Sequence, residues 1–234
     1  MGQDVNPEAA GGPATDEATD GQPTLAGEVP TTPTAIATGG RILLVCATRH
    51  GSTREVADAI AAELRGTGSE VDVRAAAEAP GSAGYDAVIV GGPMIMGWHR
   101  QAVRYVRKHR GELERLPTAF FITAASLTAT DEDDVQGVPI VKDPWLAKAP
   151  RDAAKLRYQE RYALPQHYLG DVLKKAAPVR PRSVAFFAGS LDLTTMNVFD
   201  KLFVLLVVGA TPGDGRNWKA IREWGAGLGD VLRA

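Results

Sequence analysis

Apolar residues along this chain fall into two alternating patterns. Ile42-Leu43-Leu44-Val45-Cys46 is an unbroken apolar run of strand length, as in a parallel strand covered on both faces. Residues 52–65 follow with Val56, Ile60 and Leu64 four apart and Ala57 and Ala61 beside them, the period of a helix with one buried face. Gly66 and Gly68 end it. Further strands are predicted at 71–73, 86–90, 119–122 and 184–187, the third closed by Gly91-Gly92-Pro93. Further helices are predicted over about 98–110, 152–163 and 166–176. A last one starts at Asn217, a good N-cap, and places Trp218, Ile221, Trp224 and Leu228 at intervals of three and four. This alternation predicts one α/β domain with a doubly wound sheet. Ligands in that architecture bind beyond the carboxyl ends of the strands, so chemistry is expected in the loops after the first, third and fourth strands.

Two segments exceed what a minimal sheet needs. Residues 127–181 precede the fifth strand and hold the acidic run Asp131-Glu132-Asp133-Asp134, read as a solvated loop, with several prolines. Residues 190–216 follow the fifth strand and contain Leu202-Phe203-Val204-Leu205-Leu206-Val207-Val208. That run is far short of the ~20 residues needed to span a bilayer, and being apolar all round it must be covered by the domain, a second subunit or lipid.

Charge divides the chain. Residues 1–40 carry six acids, no Lys or Arg and no aromatic, and 26 of them are Gly, Pro, Thr or Ala. They have too little apolar surface to offset chain entropy and read as a disordered acidic tail, with a domain over 41–234. Taking those six acids from the net charge of −2 leaves 41–234 at +4. The total gives no signal for nucleic acid. The single cysteine, Cys46, excludes an internal disulfide and a Cys-built metal site. No long apolar run and no signal peptide pattern is present, so neither a transmembrane helix nor export is expected.

The sharpest chemical signal is Thr48-Arg49-His50-Gly51-Ser52-Thr53, between a buried strand and a helix. A phosphate needs converging donors without a bulky side chain in the way. The helix start supplies backbone N–H groups, three hydroxyls add donors, and Gly51 permits close approach. One hydroxyl would suffice for a helix cap. Neither the Lys of a Walker A loop nor a three-glycine dinucleotide fingerprint is present, so a monophosphate is the better fit.

The stretch Leu44-Val45-Cys46-Ala47-Thr48-Arg49-His50-Gly51-Ser52-Thr53, continued by Ala57 and Ile60, resembles the flavodoxin signature, with Cys46 where an aromatic is usual. The resemblance is closest to the branch of menaquinone-dependent protoporphyrinogen IX dehydrogenases. It takes in residues 85–91, Val103, Val106, Lys108-His109, Ala188-Gly189-Ser190-Leu191, Phe199-Asp200-Lys201 and Asn217-Trp218 with Ile221. That branch has aromatic and basic residues where 192–197 stand here, and basic residues interrupt its apolar helix.

The resemblance implies a five-stranded parallel sheet of order 2-1-3-4-5, with insertions before and after the fifth strand. It implies FMN as cofactor, its phosphate held by Thr48, Arg49, His50, Gly51, Ser52 and Thr53. The ring would lie between Gly92-Pro93-Met94-Ile95-Met96-Gly97-Trp98 and Thr123-Ala124-Ala125-Ser126. A flat ring needs apolar faces with backbone reaching its polar edges, and Met94, Met96 and Trp98, the last by stacking, are the candidates. The alternative is that they are core at a strand–helix junction. His50 and His99 are candidate proton donors, though a surface histidine is the better reading of each, and no catalytic group is assigned. The implied activity is oxidation of a porphyrinogen with a quinone acceptor, in a cytoplasmic protein with peripheral membrane contact through 199–208 and an oligomer possible. The alternatives are an electron-transfer flavodoxin and a flavin-free scaffold. Arg100, Arg104, Arg107, Lys108 and Arg110 share one predicted helix, either as a solvated face or to attract lipid headgroups or substrate carboxylates.

Overall fold

The first apolar run forms β1 (Arg41–Cys46) in the computed structural model, which describes residues 40–49, 51–191 and 213–234. α1 (Ser52–Gly66), β2 (Glu70–Ala75) and β3 (Ala87–Pro93) follow. Next come α2 (Arg100–Lys108), α3 (Arg110–Leu113) and β4 (Thr118–Ala124). The long segment before the fifth main strand contributes β5 (Leu127–Thr128), β6 (Asp134–Val135), β7 (Val138–Lys142), β8 (Ala147–Lys148), α4 (Tyr158–Tyr162) and α5 (Pro165–Ala176). β9 (Ser183–Ala188), β10 (Ser190–Leu191), β11 (Gly213–Asp214) and α6 (Trp218–Arg233) complete the described elements.

The main sheet runs β2-β1-β3-β4-β9-β7-β6. Its first five strands are parallel, and with β9 as the fifth main strand they have the expected order 2-1-3-4-5. The sheet does not stop there. β7 adds in parallel beyond β9, and β6 pairs antiparallel with β7, so the insertion widens the sheet to seven strands. Asp131 to Asp134 therefore lead into a hairpin rather than only a solvated loop. Asp134 Oδ1 accepts the Gly137 N–H at 2.9 Å, and Gln136 and Gly137 take the positive φ of +55° and +76° that a tight hairpin turn requires.

Both faces of the sheet are covered at its centre, which is why β1, β3, β4 and β9 are buried almost throughout. Ile42, Leu44, Ile89, Phe121 and Phe187 point into the layer under α1 and α6. Leu43, Val45, Val90, Phe120 and Phe186 point into the layer under α2 and α5. At β3 the two-residue alternation brings Gly91 over the Phe121 ring, where a Cβ would lie 1.9 Å from a ring carbon. That ring is fully buried and has nowhere to move. Gly91→Ala is expected to cost about 3 kcal/mol or more by overpacking. A loss under about 1 kcal/mol in chemical denaturation would show that the ring can shift.

Two predicted helices are shortened for local reasons. The run over 98–110 breaks at His109, because Glu112 of the next turn reaches away to bond both the backbone N–H (2.7 Å) and hydroxyl (2.8 Å) of Ser82. The run over 152–163 becomes helical only at Tyr158. The Glu160 carboxylate accepts the N–H groups of Arg151 (2.9 Å) and Arg157 (2.7 Å), fixing Arg157 as an extended N-cap. The acidic tail through residue 39, and the apolar run 202–208 with its proposed helix 199–208, lie outside the described residues. Among the described residues no helix is long and apolar enough to cross a membrane.

Candidate functional site

The loops that follow β1, β3, β4 and β9 meet at the carboxyl edge of the sheet. After β1 the chain turns through Thr48 and Arg49 into Gly51, which stands at φ +89° as the N-cap of α1. The Thr48 hydroxyl accepts the Gly51 N–H at 2.9 Å, which leaves its own hydrogen free to donate outward. No side chain caps α1, and the carbonyl of Gly51 is taken by the N–H groups of Arg54 and Glu55. The first N–H groups of α1, from Ser52 and Thr53, are thus left for a ligand, at the positive end of a four-turn helix. An L side chain at Gly51 would be strained at that φ, although no atom lies within 4 Å of where its Cβ would stand. His50 lies outside the described residues.

Thr53 does something the sequence did not suggest. Its hydroxyl is buried and sits 3.1 Å from the hydroxyl of Thr123, at the end of β4. It fastens the start of α1 to the third loop, which leaves the backbone N–H of Thr53 as its free donor at the helix start. Thr123 also accepts the Met94 N–H at its carbonyl (2.8 Å), so this one residue ties the loops after β1, β3 and β4 together.

The loop after β3 is a tight reversal. Met94 and Trp98 pair as an isolated antiparallel bridge, with Met96 at φ +53° and Gly97 at φ +113° between them. The reversal projects Ile95 (41% exposed) and Met96 (75% exposed) outward. The expected roles of Met94 and Trp98 are corrected here. Both are buried, and the Trp98 ring packs on Phe120 with centroids 5.1 Å apart, so it faces the core rather than a stacking partner. The bulky indole fills the space over Gly92, whose Cβ would stand 3.2 Å from its Nε1. The apolar surface this loop offers a ligand is Ile95 and Met96.

On the other side, Ala124 is buried, Ala125 is exposed and half-buried Ser126 bonds the Tyr168 hydroxyl. Burial pushes that phenol up to about 12, so it stays protonated. Small residues here leave room for a flat body opposite Ile95 and Met96. Cys46 cannot act as a thiolate beneath the site, because burial pushes it up to about 11.

His99 caps α2, its Nδ1 accepting the Gln101 N–H at 3.3 Å, which leaves Nε2 to carry the proton in the neutral ring. Burial, then the charges of Arg49 and Arg100, hold it below the ordinary histidine range. The folded chain therefore binds fewer protons at this ring than the unfolded chain does. The stability this gives is present above the unfolded value of about 6.5 and is lost as pH falls below it. His99→Gln is expected to flatten part of the fall in unfolding free energy between neutral and mildly acid pH. Identical pH slopes for the two proteins would show that His99 is not held neutral.

Two positions at this edge, Arg216 and Asp143, carried no readable sequence signal. The Arg216 side chain is 8% exposed, with Nη1 2.8 Å from Glu55 and 3.4 Å from the Ser52 carbonyl, Nη2 2.7 Å from Asp214, and its guanidinium 4.5 Å over Trp218. Its hydrogen bonds to Asp214, and then Glu55, raise its proton affinity and hold Asp214 below the usual carboxylate range. A fixed cation thus flanks the open end of α1. Asp143 is fully buried, and its carboxylate accepts from Trp145 N–H (2.9 Å), Ala188 N–H (3.2 Å) and Asn217 Nδ2 (2.9 Å). Asn217 in turn caps α6 by accepting the Ala220 N–H at 3.2 Å. Ser52 and Glu55 lie far from Arg216 in sequence, as Ala188 and Asn217 do from Asp143, so only the fold reveals these contacts. Among the described residues no cluster of His, Cys, Asp or Glu is arranged to hold a metal ion.

Comparisons with known proteins fit this geometry. Protoporphyrinogen IX dehydrogenase [quinone] of Escherichia coli (strain K12) is 34% identical over 84 residues, which is 35% of this chain and 46% of that protein. The match thus spans about half the length of that relative. Oxidised flavodoxin 1 of Bacillus cereus aligns over 80% of this chain and 95% of its own, at 14% identity and a TM-score of 0.42. A Fusobacterium nucleatum flavodoxin bound to flavin mononucleotide aligns over 36% and 52% of the two chains, at 15% identity and a TM-score of 0.28. The flavodoxin domain matches residues 43–216, from β1 to the arginine beside the helix start, and this chain belongs to that family.

Proposed function

We propose that this chain is an FMN-dependent oxidoreductase that takes hydrogens from a porphyrinogen or similar reduced substrate and passes them to a quinone. The supporting observation is the uncapped start of α1 behind Gly51, in a flavodoxin domain partly similar to a quinone-using dehydrogenase. The residues present suit FMN. The Thr48 hydroxyl and the N–H groups of Ser52 and Thr53 offer donors to its phosphate, with Arg49 adding positive charge nearby; Arg216, paired with Asp214 and Glu55, braces the start of α1. The Ile95–Met96 turn and the small residues 124–126 offer a slot for its ring. When bound, FMN accepts a hydride and can release electrons singly.

The chain's own part is to position and shield. Thr123 holds the three loops in one arrangement. Nε2 of neutral His99 is the group that would hold a proton near the 92–98 loop. The apolar run 202–208 would supply a greasy mouth or a shallow membrane contact, as in a protein handling a long-tailed quinone. The electron-carrier reading is weaker because such carriers present acidic surfaces, whereas α2 beside the ring loop is basic.

Anaerobic mixing of the FMN-loaded protein with a reduced porphyrinogen tests the reading. The expected result is loss of the oxidised flavin spectrum, followed by its return when a quinone is added. A flavin that is bound but never reduced by porphyrinogens would remove the substrate assignment and favour the carrier. Leu205→Ser with Leu206→Ser should lower turnover with long-tailed quinones while FMN stays bound. Full turnover would move the mouth elsewhere.

A further inference from the structure

α2 and α5 flank a cleft of about 600 Å³ whose walls carry Arg100, Arg104, Arg107, Lys108, Arg110 and Lys175. Its apolar lining is Trp98 and Val103. Lys175 has Asp171 at 2.5 Å, but among the described residues Arg100, Arg104, Arg107, Lys108 and Arg110 have no acid within ion-pair distance. Some surface arginines elsewhere on this chain do pair with acids, such as Arg54 with Asp58 at 3.0 Å and Arg222 with Glu63 at 3.8 Å, but among the described residues none of these five basic side chains does.

Helix electrostatics explains only part of this cluster. Arg107 and Lys108 lie in the last turn of α2, where cations interact well with the helix dipole. Arg100 stands in the first turn, where the dipole disfavours a cation, and that turn contains no acid. Arg104 is four residues from both Arg100 and Lys108, so like charges face each other along one helix edge. The free protein accepts that repulsion, and the arrangement becomes favourable when an anion enters. The cleft is open along much of its face, and its volume is that of a small-molecule site, which favours a discrete ligand.

We infer that this cleft is a binding site for a small multivalent anion, a compact body bearing three or more carboxylate or phosphate groups. Half-buried Val103 meets the apolar body, and the guanidinium groups take the acid groups in bidentate fashion. The site is separate from the phosphate loop, but it abuts the ring loop. A Cβ at Gly97 would lie 3.7 Å from Lys175 Nζ, so an occupied cleft sits beside the mouth of the flavin slot. The inference does not depend on the proposed substrate, because binding can be read without turnover.

Calorimetric titration of the full chain with benzene hexacarboxylate and, separately, inositol hexakisphosphate tests it, at about 0.15 M salt to screen diffuse attraction. Saturable binding of one molecule per chain is expected for at least one probe, and the stronger probe tells carboxylate from phosphate recognition. Arg104→Gln with Arg107→Gln should weaken it at least tenfold and leave FMN affinity unchanged. Lys155→Gln with Arg161→Gln, which removes two charges in the insertion, should change it less than twofold. All four side chains are exposed, so the folds should survive, and unchanged circular dichroism checks this. Absence of saturable binding, or equal weakening by both pairs, would overturn the site. A parallel fall in FMN affinity would make the cleft part of the flavin site instead. Binding of anionic phosphatidylglycerol vesicles through the same arginines, with neither small anion bound, would make it a membrane surface.

Discussion

Asp143→Ala is expected to lower the unfolding free energy by about 3 kcal/mol or more. Three donors lose their acceptor in one step: the N–H of Trp145, the N–H of Ala188 and the side-chain amide of Asn217. The position is fully buried, so water cannot take the acceptor's place without opening the fold. Each stranded donor costs about 1–3 kcal/mol, and breaking a buried charged network typically costs 3–5 kcal/mol. The loss should spread along the carboxyl edge, because Asp143 joins the end of β7, the end of β9 and the cap of α6. Denaturant titration reads the free energy. Faster hydrogen exchange at the amides of 188–191 and 217–221 would show where the edge loosens. A loss below about 1 kcal/mol would mean that these donors find other partners and that Asp143 is no linchpin.

Riboflavin, which lacks only the phosphate, is expected to bind this chain at least about a hundredfold more weakly than FMN, a difference of about 3 kcal/mol. The free N–H groups of Ser52 and Thr53 and the outward hydrogen of Thr48 are three donors, and each bond to a charged acceptor is worth about 1.5–3 kcal/mol. Gly51→Ala should narrow the gap, because φ of +89° strains an L residue and displaces those donors. Thr53→Ala should act through the lost bond to Thr123, weakening FMN and riboflavin alike. Flavin fluorescence titration measures all six affinities. Equal binding of the two flavins would remove the phosphate assignment from this loop.

The sequence was legible wherever one physical rule acts over a short span. An unbroken apolar run can only be a strand buried on both faces or a buried helix, and length with flanking glycines decided for strands at β1, β3, β4 and β9. The four-residue spacing of α1 was readable in the same way, as was the Asn217 cap of α6. The phosphate loop was readable because its chemistry is local, with a glycine, hydroxyls and a helix start within six residues.

Side-chain direction was not legible, because it depends on what packs against an element. Trp98 read equally well as a stacking ring or as core, and the tertiary structure settled its place against Phe120 through the tight turn at Met96 and Gly97. Residues 134–142 carried no strong strand pattern, since β7 is exposed along part of its length. It becomes a strand only because β9 leaves an edge unpaired beside it. By itself, then, the sequence determined the strand-helix alternation, the buried parallel sheet and the loop that can hold a phosphate, all products of near-neighbour spacing. Only the tertiary structure decided that Thr53 and Thr123 lock three loops, that Arg216 flanks the start of α1 and that Asp143 binds the carboxyl edge. Those contacts join residues 70, 164 and 74 positions apart, from Thr53 to Thr123, Ser52 to Arg216 and Asp143 to Asn217, and no local pattern along the chain encodes such distances.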